Sequence, residues 1–168
     1  MSDAPFTVVA DDSLVNWSDD LEALHEESSR DHFIDVWTRQ AMLEGLGRDL
    51  APTATIADLG CSTGYMLEEL HRVHPRARLL GVDLVASGLR NAHALVPGAE
   101  LFLADVCHLP FARSSIDAVV SANLLEHVPD DVAALREIAR VLRPGARAAL
   151  VVPAGPGTYD YYDRFLGH

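Results

Sequence analysis

The residue types able to do chemistry in this 168-residue chain gather in a few short stretches. The first is "ADLGCSTGYMLEEL" (57–70), in which Asp58 precedes Gly60 and Gly64 where a short apolar run gives way to an amphipathic one. A glycine-rich turn from strand to helix ordinarily presents backbone N–H groups to an anion such as phosphate. Asp58 opposes that reading, because its charge repels phosphate and attracts a cation. Asp83 follows the first glycine by about twenty residues, the spacing at which an acid hydrogen-bonds a ribose diol in dinucleotide folds. The loop reads Gly60, Cys61, Ser62, Thr63, Gly64 and so lacks the middle glycine of G-x-G-x-x-G that lets a pyrophosphate approach. These residues point to a nucleoside whose far end is positively charged. Taken singly, each acid serves equally well as a helix or turn cap.

The elements that position these residues alternate along the chain. Short apolar runs, "ATIADLG", "ARLLGVDL", "AELFLADV", "SIDAVVSAN" and "ARAALVVP", read as five strands. Before them, Phe33, Val36, Trp37, Leu43, Leu46 and Leu50 recur near helical spacing. Between strands, Met66, Leu67, Leu70 and Val73 form one helical stripe, and Leu89, Ala92, His93 and Val96 a second. A third, Val132, Leu135, Ile138, Ala139 and Leu142, follows a cap at Asp130 or Asp131 and stops at "RPG". Strands alternating with helices favour right-handed β-α-β units and a doubly wound parallel α/β sheet, which binds ligands beyond the carboxyl ends of its strands. Asp58, Asp83, Asp105 and Asn123 belong to that rim. The length suits one domain over 1–168, with an N-terminal helical segment at 1–50, a cofactor-binding core at 51–153 and a tail at 154–168.

Composition removes several function classes. A formal charge of −12 repels polyanions, so nucleic acid and anionic membrane faces are not expected partners. All positive side chains other than histidine are arginine, which excludes a Walker A lysine, a Schiff base and a lysine general base. The N-terminus lacks the pattern of a secretory leader and no apolar run is long enough for a membrane span, so a cytoplasmic protein is expected. Cys61 and Cys107 fit reduced thiols, and with His108 they match no zinc spacing.

The chain resembles the class I S-adenosylmethionine-dependent methyltransferases, particularly the type 11 group of small-molecule enzymes, over residues 56–153. The motifs that carry the likeness are "DLGCSTG", "GVDLVASGLRNA", "ADVCHLPF" and "SIDAVVSANLLEHVPDDVAALREIARVLRPGARAAL", in that order. S-adenosylmethionine, with its ammonium and sulfonium, has the charge pattern that Asp58 favours. The resemblance implies that Asp58 and the loop of Gly60, Cys61, Ser62 and Gly64 meet the methionyl end. It makes Asp83 the ribose contact, beside Leu84. Asp105 would accept from the adenine amino group, Val106 would lie against the ring, and Asn123 near the methionyl moiety. Ser62 stands where the family usually has a glycine. His127, in "LLEHVPDD", is the candidate general base, since an imidazole titrates near neutrality; the alternative is that Glu126 and His127 only stabilise their loop. Some ubiquinone-biosynthesis O-methyltransferases resemble this Glu-His pair and add a preceding Glu to hold magnesium. Here that position is Asn123, and no metal is expected.

The resemblance also implies seven strands in the order 3-2-1-4-5-7-6, of which this sequence supplies 3-2-1-4-5. The fifth, over 147–152, is then an apolar sheet edge, from which homo-oligomerisation and an impaired acceptor site are expected. Two other readings stay open: a catalytically silent or truncated S-adenosylmethionine-binding module, and an NAD-dependent oxidoreductase. No motif names the acceptor, although "NWSDDLEALHEESSRDHF" and Tyr159, Tyr161 and Tyr162 are candidates to surround it.

Overall fold

The computed structural model describes residues 4–10, 30–47 and 49–153. In chain order the elements are β1 (Thr7–Val8), α1 (Phe33–Leu46), β2 (Thr55–Leu59), α2 (Tyr65–Val73), β3 (Arg78–Asp83), α3 (Ala86–Leu95), β4 (Glu100–Leu103), β5 (Ile116–Ala122), α4 (Asp131–Val141) and β6 (Leu142–Val151). Single 3-10 turns follow β4 at Val106–His108 and β5 at Leu125–His127. The strands form one parallel sheet in the order β1-β4-β3-β2-β5-β6. The five strands read from the sequence are β2 to β6, in the order expected. The sixth, β1, pairs Thr7 with Phe102 and Val8 with Leu103 at the β4 edge. Two exposed residues carry no periodicity, which is why the sequence did not disclose it.

Strands β2, β3 and β5 are apolar almost throughout because helices cover both faces of the sheet. Side chains of a strand alternate between faces, so Ile56 joins a cluster with Leu67, Leu70 and Leu89 under α2 and α3, while Ala57 and Leu59 join Ala134, Ile138 and Val141 under α4. The same alternation sends Asp58 to the α2 face, where its register partner on β3 is Gly81.

On α2 and α3 the expected stripes are buried, at Met66, Leu67 and Leu70 and at Leu89 and Ala92, while α1 and α4 keep only Leu46 and Ile138 of theirs fully inside. On α1 the buried side chains are Thr38, Met42 and Leu46, at i, i+4 and i+8, while Phe33 is 74% and Trp37 64% exposed. On α4 the buried row is Ala134, Ile138 and Val141, with Val132 and Leu135 exposed. In both cases a small or polar residue, Thr38 on α1 and Ala134 on α4, faces inward while larger apolar side chains stay outside, so tertiary packing outweighs side-chain hydropathy. Asp130 does cap α4, its Oδ1 accepting from Ala133 N at 2.8 Å. Strand β6 starts five residues earlier than the run at 147–152 suggests. Its register jumps from Ile116↔Leu142 to Ala118↔Arg147, so the "RPG" stretch bulges out of the ladder and Gly145 takes φ 81°. Among the described residues β6 ends the sheet, and no helix is long and apolar enough to cross a membrane.

The segment after β4 is pinned to α4. Leu109 N donates to Glu137 Oε2 at 2.9 Å, and Arg140 donates to the carbonyls of Leu109 and Phe111 at 3.0 and 2.8 Å while pairing with Glu137. Asp105 and Val106 lie at the start of the segment so fixed.

Candidate cofactor site

Beyond the carboxyl ends of β2, β3, β4 and β5 lies a cavity of about 800 Å³, a size that suits a small organic ligand. The chain leaves β2 through Gly60 at φ 74° and enters α2 through Gly64 at φ 87°. Gly64 must lack a side chain for a second reason: a Cβ there would sit 2.9 Å from the α3 backbone at Ala92 Cα. Gly60 N and Cys61 N both donate to Val82 O, at 2.8 and 3.1 Å, fastening the loop to β3.

Asp83, the last residue of β3, ties the loop from the other side. Its Oδ2 accepts from Ser62 N at 2.8 Å and its Oδ1 from Val85 N at 2.9 Å. It is therefore a structural brace of the loop as well as a rim acid, which its sequence position alone did not reveal. Ser62 itself stands at φ 42°, in the left-handed region that costs a non-glycine residue about 1–2 kcal/mol. Substituting Ser62→Gly should thus stabilise the protein by up to about 1 kcal/mol, seen as a higher urea midpoint. A lower midpoint would show that the serine side chain contributes more than its backbone strain removes.

Asp58 lies within β2, not after it, and is 3% exposed. Its Oδ2 has no hydrogen-bond partner, and burial, reinforced by the charge of Asp83, pushes its pKa up to about 8. The folded chain retains a proton that the unfolded chain, titrating near 3.8, has already lost, so this contribution to stability is complete below that value and disappears as pH rises through about 8. Asp58→Asn should therefore raise the ligand-free thermal midpoint at pH 8 by at least about 3 °C and leave it little changed at pH 4. An equal effect at both pH values would contradict the assignment.

The other rim residues arrive from later strands. Asp105 caps the turn after β4, its Oδ1 accepting from Cys107 N at 2.8 Å and its Oδ2 lying 3.4 Å from His108 Nδ1. The Cys107 thiol is pushed up to about 11, by burial and then by Asp105, and so is no nucleophile near neutrality. Asn123 adopts φ 50° directly after β5, with its N–H donated to Val151 O at 2.9 Å. His127 closes the following turn, donating from its backbone N–H to Leu124 O at 2.9 Å.

Asp58, Gly60, Cys61, Ser62, Asp83, Leu84, Asp105, Val106, Asn123 and His127 all line the cavity. Gly64 does not; it sets the start of α2. Sequence reasoning missed the wall supplied by α1, where Asp35, Thr38, Arg39 and Met42 line the same cavity, and missed Tyr65 beside them. The Tyr65 ring has the Arg30 and Arg39 guanidinium carbons 5.4 and 5.8 Å from its centroid. The one available signal was Thr38, a polar residue in step with Met42 and Leu46. Residues 16–29 of the first acceptor candidate, and Tyr159, Tyr161 and Tyr162, lie outside the described residues. Among the described residues no group of three His, Cys, Asp or Glu side chains is placed to hold a metal ion.

Comparison with known proteins agrees with this architecture. Residues 57–150 match the type 11 methyltransferase domain model. The chain is 36% identical over 122 residues to demethylmenaquinone methyltransferase of Corynebacterium urealyticum, an alignment covering 70% of this chain and 51% of that protein. It is 31% identical over 133 residues to the protein named "Probable tRNA methyltransferase 9B" of Bos taurus, covering 75% of this chain and 27% of that one. The chain spans about half the length, or less, of the curated relatives it matches. Among solved structures, geranyl diphosphate methyltransferase in complex with SAM shares the fold with a TM-score of 0.65 at 19% identity, over 79% of this chain and 54% of that one. Fold and sequence agree that the chain belongs to the type 11 methyltransferase-domain family, within the class I S-adenosylmethionine-dependent methyltransferases.

Proposed function

We propose that this chain binds S-adenosylmethionine and transfers its methyl group to a small-molecule acceptor. The observation that carries the reading is the buried Asp58 carboxyl, which leaves one oxygen without a hydrogen-bond partner at the wall of the cavity. A buried acceptor of this kind calls for a cationic donor. The rim adds Asp83 and Asp105 and no lysine, an acceptor set suited to an ammonium, a ribose diol and an adenine amino group, and unsuited to a pyrophosphate. This disfavours the NAD-dependent alternative.

In this reading Asp58 and the loop of Gly60, Cys61 and Ser62 hold the methionyl end, with Asn123 near it. Asp83 receives the ribose hydroxyls beside Leu84, using the oxygen lone pairs that its two backbone N–H donors leave available. Asp105 accepts from the adenine amino group, and the half of the cavity around Val106 excludes water from the ring. The bound sulfonium supplies the activated methyl group. The protein's part is to align an acceptor along the displacement axis, keep water out and remove a proton from an oxygen or nitrogen acceptor. His127 lines the cavity and is assigned the last task.

The acceptor is assigned to small molecules because a chain of net charge −12 opposes a polyanion. Incubation with methyl-labelled S-adenosylmethionine and panels of quinols, small carboxylic acids and tRNA tests this. Label is expected in a small-molecule pool, and label confined to tRNA would overturn the assignment.

A further inference from the structure

Asp58 sits in surroundings that do not suit a carboxylate. Its Oδ2 is buried without a hydrogen-bond partner, and its strand neighbours in register are Gly81 and Val120, which offer no side-chain donor. The charged and titratable groups that share its cavity are mostly of its own sign. From β3 comes Asp83, from α1 Asp35 and Arg39, from the segment after β4 Asp105 and His108, from the segment after β5 Glu126 and His127, and from the cap of α4 Asp130, with the thiols of Cys61 and Cys107 and the Tyr65 phenol as the neutral titratable groups. Arg39 is the one arginine among these described lining residues, and it is engaged elsewhere, with the Arg30 carbonyl at 2.5 Å and the Tyr65 ring.

We infer, building on the S-adenosylmethionine reading above, that Asp58 exchanges its own proton for the ligand's ammonium, so that cofactor capture releases one proton per site and selects nucleosides that carry an ammonium group. In the empty cavity the carboxyl is neutral, the state that burial and the nearby Asp83 charge favour. When an ammonium group enters, Asp58 loses its proton to solvent and the resulting carboxylate accepts from the ammonium. The ligand keeps all of its own protons and no covalent bond forms beyond this transfer. A nucleoside without the ammonium leaves Asp58 protonated, and so binds with no proton released and with lower affinity.

Calorimetric titration at pH 6.5, repeated in buffers of different ionisation enthalpy, reads the number of protons directly. For S-adenosylmethionine or S-adenosylhomocysteine with the intact chain, the slope of observed enthalpy against buffer enthalpy should correspond to nearly one proton released. 5′-Methylthioadenosine should give a slope near zero. From pH 5.5 to 7.5 the wild-type affinity for S-adenosylhomocysteine should rise by up to about tenfold per pH unit, a readout that needs no variant. Asp58→Asn, where it still binds, should lose both the slope and the pH dependence. Tight wild-type binding with no proton released would overturn this inference while leaving the cofactor assignment standing. An unchanged slope in Asp58→Asn would overturn it by placing the proton on another group. Failure of all three nucleosides to bind would overturn the cofactor reading itself, and this inference with it.

Discussion

Replacing Asp83 with alanine should weaken S-adenosylmethionine binding by about 10²- to 10³-fold. Two effects act together. A carboxylate accepting from a ribose diol makes charge-assisted hydrogen bonds worth about 1.5–3 kcal/mol each, and each 1.4 kcal/mol is tenfold in affinity. The same carboxylate holds Ser62 N and Val85 N, so its loss also releases the loop that must present the methionyl end. The fold should survive, since Asp83 is the final residue of β3 and belongs to neither hydrophobic cluster. A folded Asp83→Ala variant, judged by its circular dichroism and thermal transition, that binds S-adenosylhomocysteine like the wild type would remove Asp83 from the site.

The second large effect falls on turnover. His127→Ala should lower the rate with an oxygen or nitrogen acceptor by about 10²- to 10⁴-fold, the usual range for loss of a positioned general base. Cofactor affinity should stay within about twofold, because the imidazole is assigned to the acceptor and not to the nucleoside. The pH profile separates this role from a structural one. A base gives the wild type an acidic limb in kcat that the variant lacks, whereas a loop-stabilising histidine moves KM and thermal stability and keeps the limb. An unchanged turnover would reduce His127 to a loop residue.

The strand order was legible because parallel strands covered on both faces are continuous apolar runs, and "TIADL", "RLLGVD" and "IDAVVSA" are such runs. The glycine loop was legible because its turn needs positive φ. What the sequence hid depends on contacts between distant residues. Asp58 reads as a rim acid by its place in the motif, but it lies inside the central strand β2, flanked by Gly81 of β3 and Val120 of β5, and is buried there. Asp83 reads as a ligand contact, and its two backbone donors come from a loop whose path cannot be inferred from spacing. Ser62 reads as a substitution for glycine, yet it keeps the left-handed conformation because the loop is fastened at Gly60, Cys61 and Gly64 around it. On α1 the hydropathy of Phe33 and Trp37 suggested a buried face; Leu46 of that stripe is buried, but Thr38 and Met42 take the inward positions in place of Phe33 and Trp37.

Under the proposed function, the cavity at the ends of β2 to β5 holds a nucleoside with a cationic tail. Calorimetric titration of the purified chain with S-adenosylmethionine and, in parallel, with NAD measures it most directly. Saturable 1:1 binding of S-adenosylmethionine is expected, with a dissociation constant between roughly 1 µM and 1 mM, and no heat from NAD over the same range. Binding of NAD with none of S-adenosylmethionine, or binding of neither, would contradict it.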